Sequence, residues 1–270
     1  MSDVDLDGVR IHYEERGSGL PYVVCHGLGS NSASFVAEDL DWYAERFRAV
    51  AWDQRGLGRS GPAPKYSLPF YALDLARLLD HLAIDRAVLH GVSWGGVLVQ
   101  RFALDFPERC AAIVLDSTSS EVNVGAGENW YMRGEVARLG EGALAGRRLP
   151  PAFAGHETVS AAPLGPAVPP EHLDSYVAQA RATAALREHP LTPYLHRIEC
   201  PTLIVGGGDD RVAGAGGSVV ISRQIPGSRL EILEGVGHGV YRAGRPAFRS
   251  ILAAFLDDHG LLDASSHAVG

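Results

Sequence analysis

The chain has 270 residues, 46% hydrophobic and 21% charged, which supplies a large packed core and excludes a disordered segment, a coiled coil or a collagen-like repeat. Its 32 acidic and 24 basic residues leave a formal charge of −8, and no run of five basic residues occurs, so the footprint of a nucleic-acid binder is missing. Cys25, Cys110 and Cys200 are far apart in the chain and form no CxxC pair or even disulfide set, so they read as thiols of a reducing compartment. The opening MSDVDLDG lacks a basic stretch followed by an apolar one, and no apolar run reaches membrane-spanning length. A cytoplasmic protein with no membrane partner is therefore expected.

In chain order, Val4, Leu6, Val9, Ile11 and Tyr13 alternate with polar residues around Asp7-Gly8, which predicts an antiparallel hairpin. Short apolar runs follow at 22–25, 49–52, 87–90, 111–115, 202–205 and 230–233. Between them, Leu75, Leu78, Leu79 and Leu82 mark one face of a helix over 68–83, and Leu98, Phe102 and Phe106 one face of a helix over 94–106. Buried strands alternating with amphipathic helices imply a mainly parallel sheet covered on both sides. The alternation stops between residues 120 and 190, where two helices, roughly 128–139 and 171–187, flank a Gly/Ala/Pro-rich middle. Residues 1–119 and 191–270 are thus expected to form the core domain and 120–190 a helical cap, with 263–270 a frayed tail.

His90-Gly91-Val92-Ser93-Trp94-Gly95-Gly96 follows a strand and opens a helix, the context in which G-x-S-x-G exposes a serine hydroxyl on a strained turn. A serine needs a base, and of the eleven histidines His238 stands apart, in a glycine-rich loop directly after the last strand. The base needs an acid to set its tautomer. Asp210 after the 202–205 strand and Asp116 after the 111–115 strand both qualify, and loop position favours Asp210. Backbone N–H groups of Trp94 and of Leu28, in the loop His26-Gly27-Leu28-Gly29-Ser30, are expected to face a developing oxyanion. A competing pattern is Gly27-x-Gly29-x-x-Ser32 with Asp53 as a ribose ligand, a near match to a dinucleotide fingerprint in which Ser93 and His238 have no role.

Five motifs, His26-Gly27-Leu28-Gly29, Asp53 to Ser60, Gly91 to Gly96, Gly207-x-x-Asp210 and Gly237-His238, occur in one order over nearly the whole chain. In them the chain resembles the α/β-hydrolase superfamily, and within it the small cofactor-free esterase and enol-lactonase group. The resemblance implies an eight-stranded, mostly parallel sheet with a small cap after the sixth strand. It also implies Ser93 as nucleophile, His238 as base, Asp210 as acid, Leu28 and Trp94 as oxyanion donors, and Asp53 and Arg55 as braces beside the oxyanion loop. Trp94 after the serine is similar to proline iminopeptidases and intracellular polyhydroxyalkanoate depolymerases. Arg211 replaces a proline usual in the family, and the glycine-rich 213–217 suggests a mobile acid loop.

The expected activity is hydrolysis of a small, largely apolar ester or lactone through an acyl-enzyme, with no cofactor and no metal, by a monomer or homodimer. Hydrolysis of a carbon–carbon bond in a dienoate ketone, cofactor-free perhydrolysis, and a non-catalytic binding protein on the same fold are the alternatives. Trp130, Tyr131, Met132, Leu139, Leu144, Phe153 and Tyr176 are more large apolar side chains than a solvated linker needs, and several of them, Trp130, Tyr131, Met132 and Phe153 foremost, are expected to line a substrate pocket above Ser93.

Overall fold

The computed structural model describes residues 2–139 and 168–262. The predicted hairpin is present: β1 (Ser2–Leu6) and β2 (Val9–Arg16) pair antiparallel with Leu6 opposite Val9. Asp7 and Gly8 both have positive φ, 53° and 81°, which the tight turn between right-twisted strands demands. The six apolar runs form β3 (Pro21–Cys25), β4 (Arg48–Trp52), β5 (Ala87–Val92), β6 (Cys110–Asp116), β7 (Thr202–Gly207) and β8 (Arg229–Leu233). They join the hairpin in one eight-stranded sheet of order β1-β2-β4-β3-β5-β6-β7-β8, parallel from β4 to β8.

Both faces of the inner strands β3 to β7 are buried, as their unbroken apolar runs require. Along β3, Val23 and Cys25 enter one cluster while Tyr22 and Val24 enter the other; Ile113/Leu115 and Ala112/Val114 of β6 divide in the same way. The first cluster is closed by α3 (Leu68–His81), α4 (Trp94–Asp105) and α7 (Gly214–Gln224). The second is closed by α1 (Ala33–Glu38), α2 (Leu40–Ala44), the short α8 (Val240–Ala243) and α9 (Arg245–Asp258). On α9, Phe248, Leu252, Phe255 and Leu256 form the inward stripe, each worth about 1.5–3 kcal/mol of burial.

Between β6 and β7 lie α5 (Val124–Leu139) and α6 (Leu173–Ala185), packed against each other. Gly134 faces Ala180 where they meet: a Cβ at Gly134 would stand 3.4 Å from the Cβ of Ala180, in van der Waals contact. α5 starts earlier than the spacing of its apolar residues predicts. The glycine-rich stretch after Asp210 is not a long loop. Its residues begin α7, and Gly217 lets that helix approach residues 118–119, since a Cβ there would stand 2.9 Å from the Thr118 carbonyl oxygen.

Candidate functional site

At the C-terminal end of β5 the chain turns sharply into α4 through Ser93, whose φ of 54° and ψ of −116° are strained for any residue with a Cβ. The turn is held by its backbone. Ser93 N–H donates to Asp116 O at 2.8 Å, and Ser93 O accepts from Gly96 N–H at 2.9 Å and the Thr118 hydroxyl at 2.7 Å. Sterics explain the flanking glycines: a Cβ at Gly91 would collide with the Gly95 carbonyl, and one at Gly95 with that of Cys25.

Two loops bring the next candidates to this end of the sheet. Asp210, after β7, points Oδ2 at His238 Nδ1, 2.8 Å away, and its Oδ1 accepts the backbone N–H groups of Val212 and Ala213 at 2.7 and 3.0 Å. The Asp210 side chain is almost completely buried and the imidazole about a quarter exposed. Burial pushes the Asp210 carboxyl upward, but the His238 hydrogen bond and the two backbone donors outweigh it and hold the group below the ordinary carboxylate range.

Asp116, the other candidate acid, is wholly buried with its acceptors committed elsewhere. Oδ1 accepts from Val240 N–H at 2.9 Å and the Ser117 hydroxyl at 2.8 Å, and Oδ2 accepts from Tyr241 N–H at 2.8 Å. Ser117 Oγ in turn accepts from Gly239 N–H at 3.0 Å. Asp116 thus has a different role from the candidate acid the sequence offered: it anchors the turn that follows His238.

The loop after β3 is tied down by a buried pair of glutamines. Gln54 Nε2 donates to His26 O at 2.9 Å, while its Oε1 accepts both the Trp94 indole N–H and Gln179 Nε2 at 2.9 Å. Gln179, on α6, completes the chain by accepting Gly29 N–H at 2.8 Å. Leu28 lies between the two anchored residues of this loop. Asp53 is occupied as well, its carboxylate accepting Ser32 N–H at 2.7 Å and Arg59 N–H at 2.8 Å, which removes it as a ribose ligand. Arg55 makes a buried two-point contact with Asp74 at 2.6 Å for both bonds.

Ser93 stands where two chambers meet. One, of about 350 Å³, is lined by Trp94, Val97, Val122, Val220 and Glu121; the other, of about 450 Å³, contains His238, Tyr176, Arg133 and Arg242. Leu28, Trp130 and Val212 face both. Of the predicted pocket residues, Trp130 and Tyr176 are there. Tyr131 and Leu139 are about half exposed and, like Met132, line neither chamber, because a helix turns about 100° per residue and the 130/133 face of α5 is the inward one. Leu144 and Phe153 lie outside the described residues. Sequence reasoning did not single out Gln54, Gln179, Arg133 or Val212. Gln54 lies within the stretch from Asp53 to Ser60, but a neutral amide on a loop carries no periodic or charge signal.

Residues 21–241 match the alpha/beta hydrolase fold family. The chain is 27% identical over 219 residues to 3-oxoadipate enol-lactonase 2 of Acinetobacter baylyi, covering 78% of this chain and 79% of that one. It is also 27% identical over 248 residues to the poly(3-hydroxyalkanoate) depolymerase of Ectopseudomonas oleovorans, covering 87% and 84%. A hydrolase from Pseudomonas aeruginosa has a solved structure that superposes with a TM-score of 0.78 at 26% identity, over 94% of this chain and 97% of that one. With its sheet order, its strand-to-helix serine turn and a match over most of its length, this chain belongs to the alpha/beta hydrolase fold family.

Proposed function

We propose that this chain is a serine hydrolase that cleaves a carboxylic ester or lactone of a small substrate through an acyl-enzyme. The reading rests on one observation above all: the cavity beside the strained Ser93 also contains His238, whose Nδ1 lies 2.8 Å from the buried carboxylate of Asp210. Similarity to a relative named as an enol-lactonase supports carbonyl–oxygen chemistry.

In this mechanism Asp210 accepts the Nδ1–H of His238, leaving Nε2 as the basic nitrogen. Ser93 Oγ attacks the carbonyl carbon as its proton passes to Nε2, and the oxyanion accepts from the N–H groups of Leu28 and Trp94. Collapse of the tetrahedral adduct breaks the bond to the leaving oxygen, which takes the proton from His238. Water repeats the sequence on the acyl-enzyme and restores Ser93. The helices α5 and α6 act as the cap, with Trp130 and Tyr176 over the nucleophile. A cytoplasmic location rests on the odd number and wide spacing of Cys25, Cys110 and Cys200 in the sequence.

Labelling with a fluorophosphonate probe tests this assignment. Wild-type protein is expected to react at one serine and Ser93→Ala not at all. A folded wild-type protein that stays unlabelled favours a binding protein instead.

A further inference from the structure

The two chambers beside Ser93 differ in charge. Among the described residues, the one that contains His238 has two arginines in its wall and no carboxylate, whereas the other has Glu121 and no arginine or lysine. In a chain with a formal charge of −8 this is a local inversion.

Arg133 causes most of it. Its side chain extends from the inward face of α5 and lies over the Trp130 ring, 5.1 Å from the centroid. The Nε is buried without a hydrogen-bond partner, and among the described residues no acidic group pairs with its guanidinium. The other wall arginine is different: Arg242 is paired with Glu38. Behind it, Glu38 and Asp39 face three arginines, Arg242, Arg245 and Arg249, so that rim too carries a positive excess. His172 is committed to the Gly58 carbonyl, 3.1 Å away. A guanidinium stacked on an aromatic ring beside a nucleophile, with donors to spare, fits a planar anion that takes two parallel hydrogen bonds.

The position of His238 says which half of the substrate carries that anion. The base returns its proton to the leaving oxygen, and His238 lines only the positive chamber. We infer that Arg133 is a specificity-determining residue that binds a carboxylate on the leaving-group side of the ester, while the neutral acyl portion occupies the chamber lined by Val97 and Val220. This inference rests on the hydrolase reading for its orientation, but the anion site stands on the charge of the chamber.

A pair of related compounds separates the two. Binding of 4-hydroxybenzoate and of 4-hydroxybenzamide to the protein is measured by quenching of tryptophan fluorescence, and hydrolysis of their O-acetyl esters by kcat/KM. The carboxylate is expected to bind at least about tenfold more tightly than the amide, and its acetyl ester to be preferred by a similar factor. Arg133→Gln brings both ratios close to one, Arg133→Lys restores part of each, and raising the salt concentration lowers the wild-type ratios. Phenyl hydrogen succinate, with its carboxylate on the acyl side, gains nothing from Arg133. Equal binding of acid and amide by the wild type overturns the anion site, and a preference that survives Arg133→Gln overturns the residue. Turnover of the neutral ester that depends on Ser93 keeps the hydrolase reading in either case. Tighter binding of the acid without any turnover keeps the anion site and removes the hydrolase reading together with the orientation.

Discussion

Gln179 Nε2 donates to Gln54 Oε1 at 2.9 Å, a bond between residues 125 positions apart that ties helix α6 to the loop behind the candidate nucleophile. Because Gln54 Oε1 also accepts the Trp94 indole N–H and Gln179 Oε1 accepts Gly29 N–H, one amide pair touches both backbone segments proposed to bind the oxyanion. Gln179→Leu leaves the half-buried Gly29 N–H and one buried Gln54 lone pair without their protein partner, a cost of about 1–3 kcal/mol for the buried one and less for the other. Ester turnover is expected to show a kcat lowered about tenfold or more with a smaller change in KM, since the loop matters most when charge builds on the carbonyl oxygen. An unchanged kcat in a folded variant removes Gln179 from this role.

Ser93 gives a test in which stability and activity move apart. Its φ of 54° with ψ of −116° costs a residue with a Cβ about 1–3 kcal/mol, and glycine escapes most of that strain. Ser93→Gly is expected to melt a few degrees above Ser93→Ala, with both variants losing on the order of 10⁴ in kcat. Ser93→Ala retaining a tenth of the activity would falsify the nucleophile assignment.

The two acids are expected to fail in different ways. Asp210→Asn keeps the shape of the site but presents an amide to His238, so the imidazole can take the wrong tautomer, and kcat is expected to fall by at least about two orders of magnitude, out of proportion to the modest drop in melting temperature that loss of the depressed carboxyl brings. Asp116→Asn sets an NH2 against a backbone N–H of Val240 or Tyr241, and its principal effect is expected to be a drop in stability of about 1–3 kcal/mol. Activity then falls only as far as the His238 turn is displaced. Thermal melts and kcat measured on both variants decide this; the opposite pattern would transfer the acid to Asp116.

His26 sets an acid limit on stability. Burial pushes its imidazole down to about 4, the nearby Asp53 charge only partly opposing, whereas an unfolded chain titrates it near 6.5. Since the folded value lies below the unfolded one, the unfolded state takes up the proton first. Stability attributable to this site is complete above pH ~6.5 and declines as the pH falls toward 4, by about 3 kcal/mol at 1.4 kcal/mol per pH unit. His26→Leu, which replaces a ring whose Nε2 has no partner, is expected to flatten the dependence of melting temperature on pH between 6.5 and 4. An identical slope in wild type and variant assigns the acid sensitivity elsewhere.

Asp210 acts in a lower range for the same thermodynamic reason, its folded value also lying below the unfolded one. Hydrogen bonds from His238 and two backbone N–H groups depress its carboxyl despite burial, so its contribution is present above about pH 4 and is lost as the pH falls through the folded value. Asp210→Asn is expected to lose less stability than wild type on acidification below pH 4, read from denaturant midpoints. A wild-type curve that is flat there excludes it.

What the sequence alone determined about this protein is what neighbours in the chain decide. Asp7-Gly8 between alternating strands specified the first hairpin, six apolar runs specified the other strands, and Gly91 and Gly95 around Ser93 specified a turn whose backbone tolerates no Cβ on either side. These signals are local because sterics and burial act within a few residues. Helix α9 was equally available in the spacing of Phe248, Leu252, Phe255 and Leu256, although its apolar stripe did not stand out beside the motifs. Only the tertiary structure decided which carboxylate meets His238. Both Asp116 and Asp210 end strands, and the difference lies in Val240 and Tyr241 N–H groups that reach Asp116 across more than 120 residues of chain. The same holds for the Gln54–Gln179 pair and for Arg133 beside His238. A hydrogen bond or a charge shared across a fold leaves no period in the sequence, and it exists only once the packed sheet has brought the loops to one end.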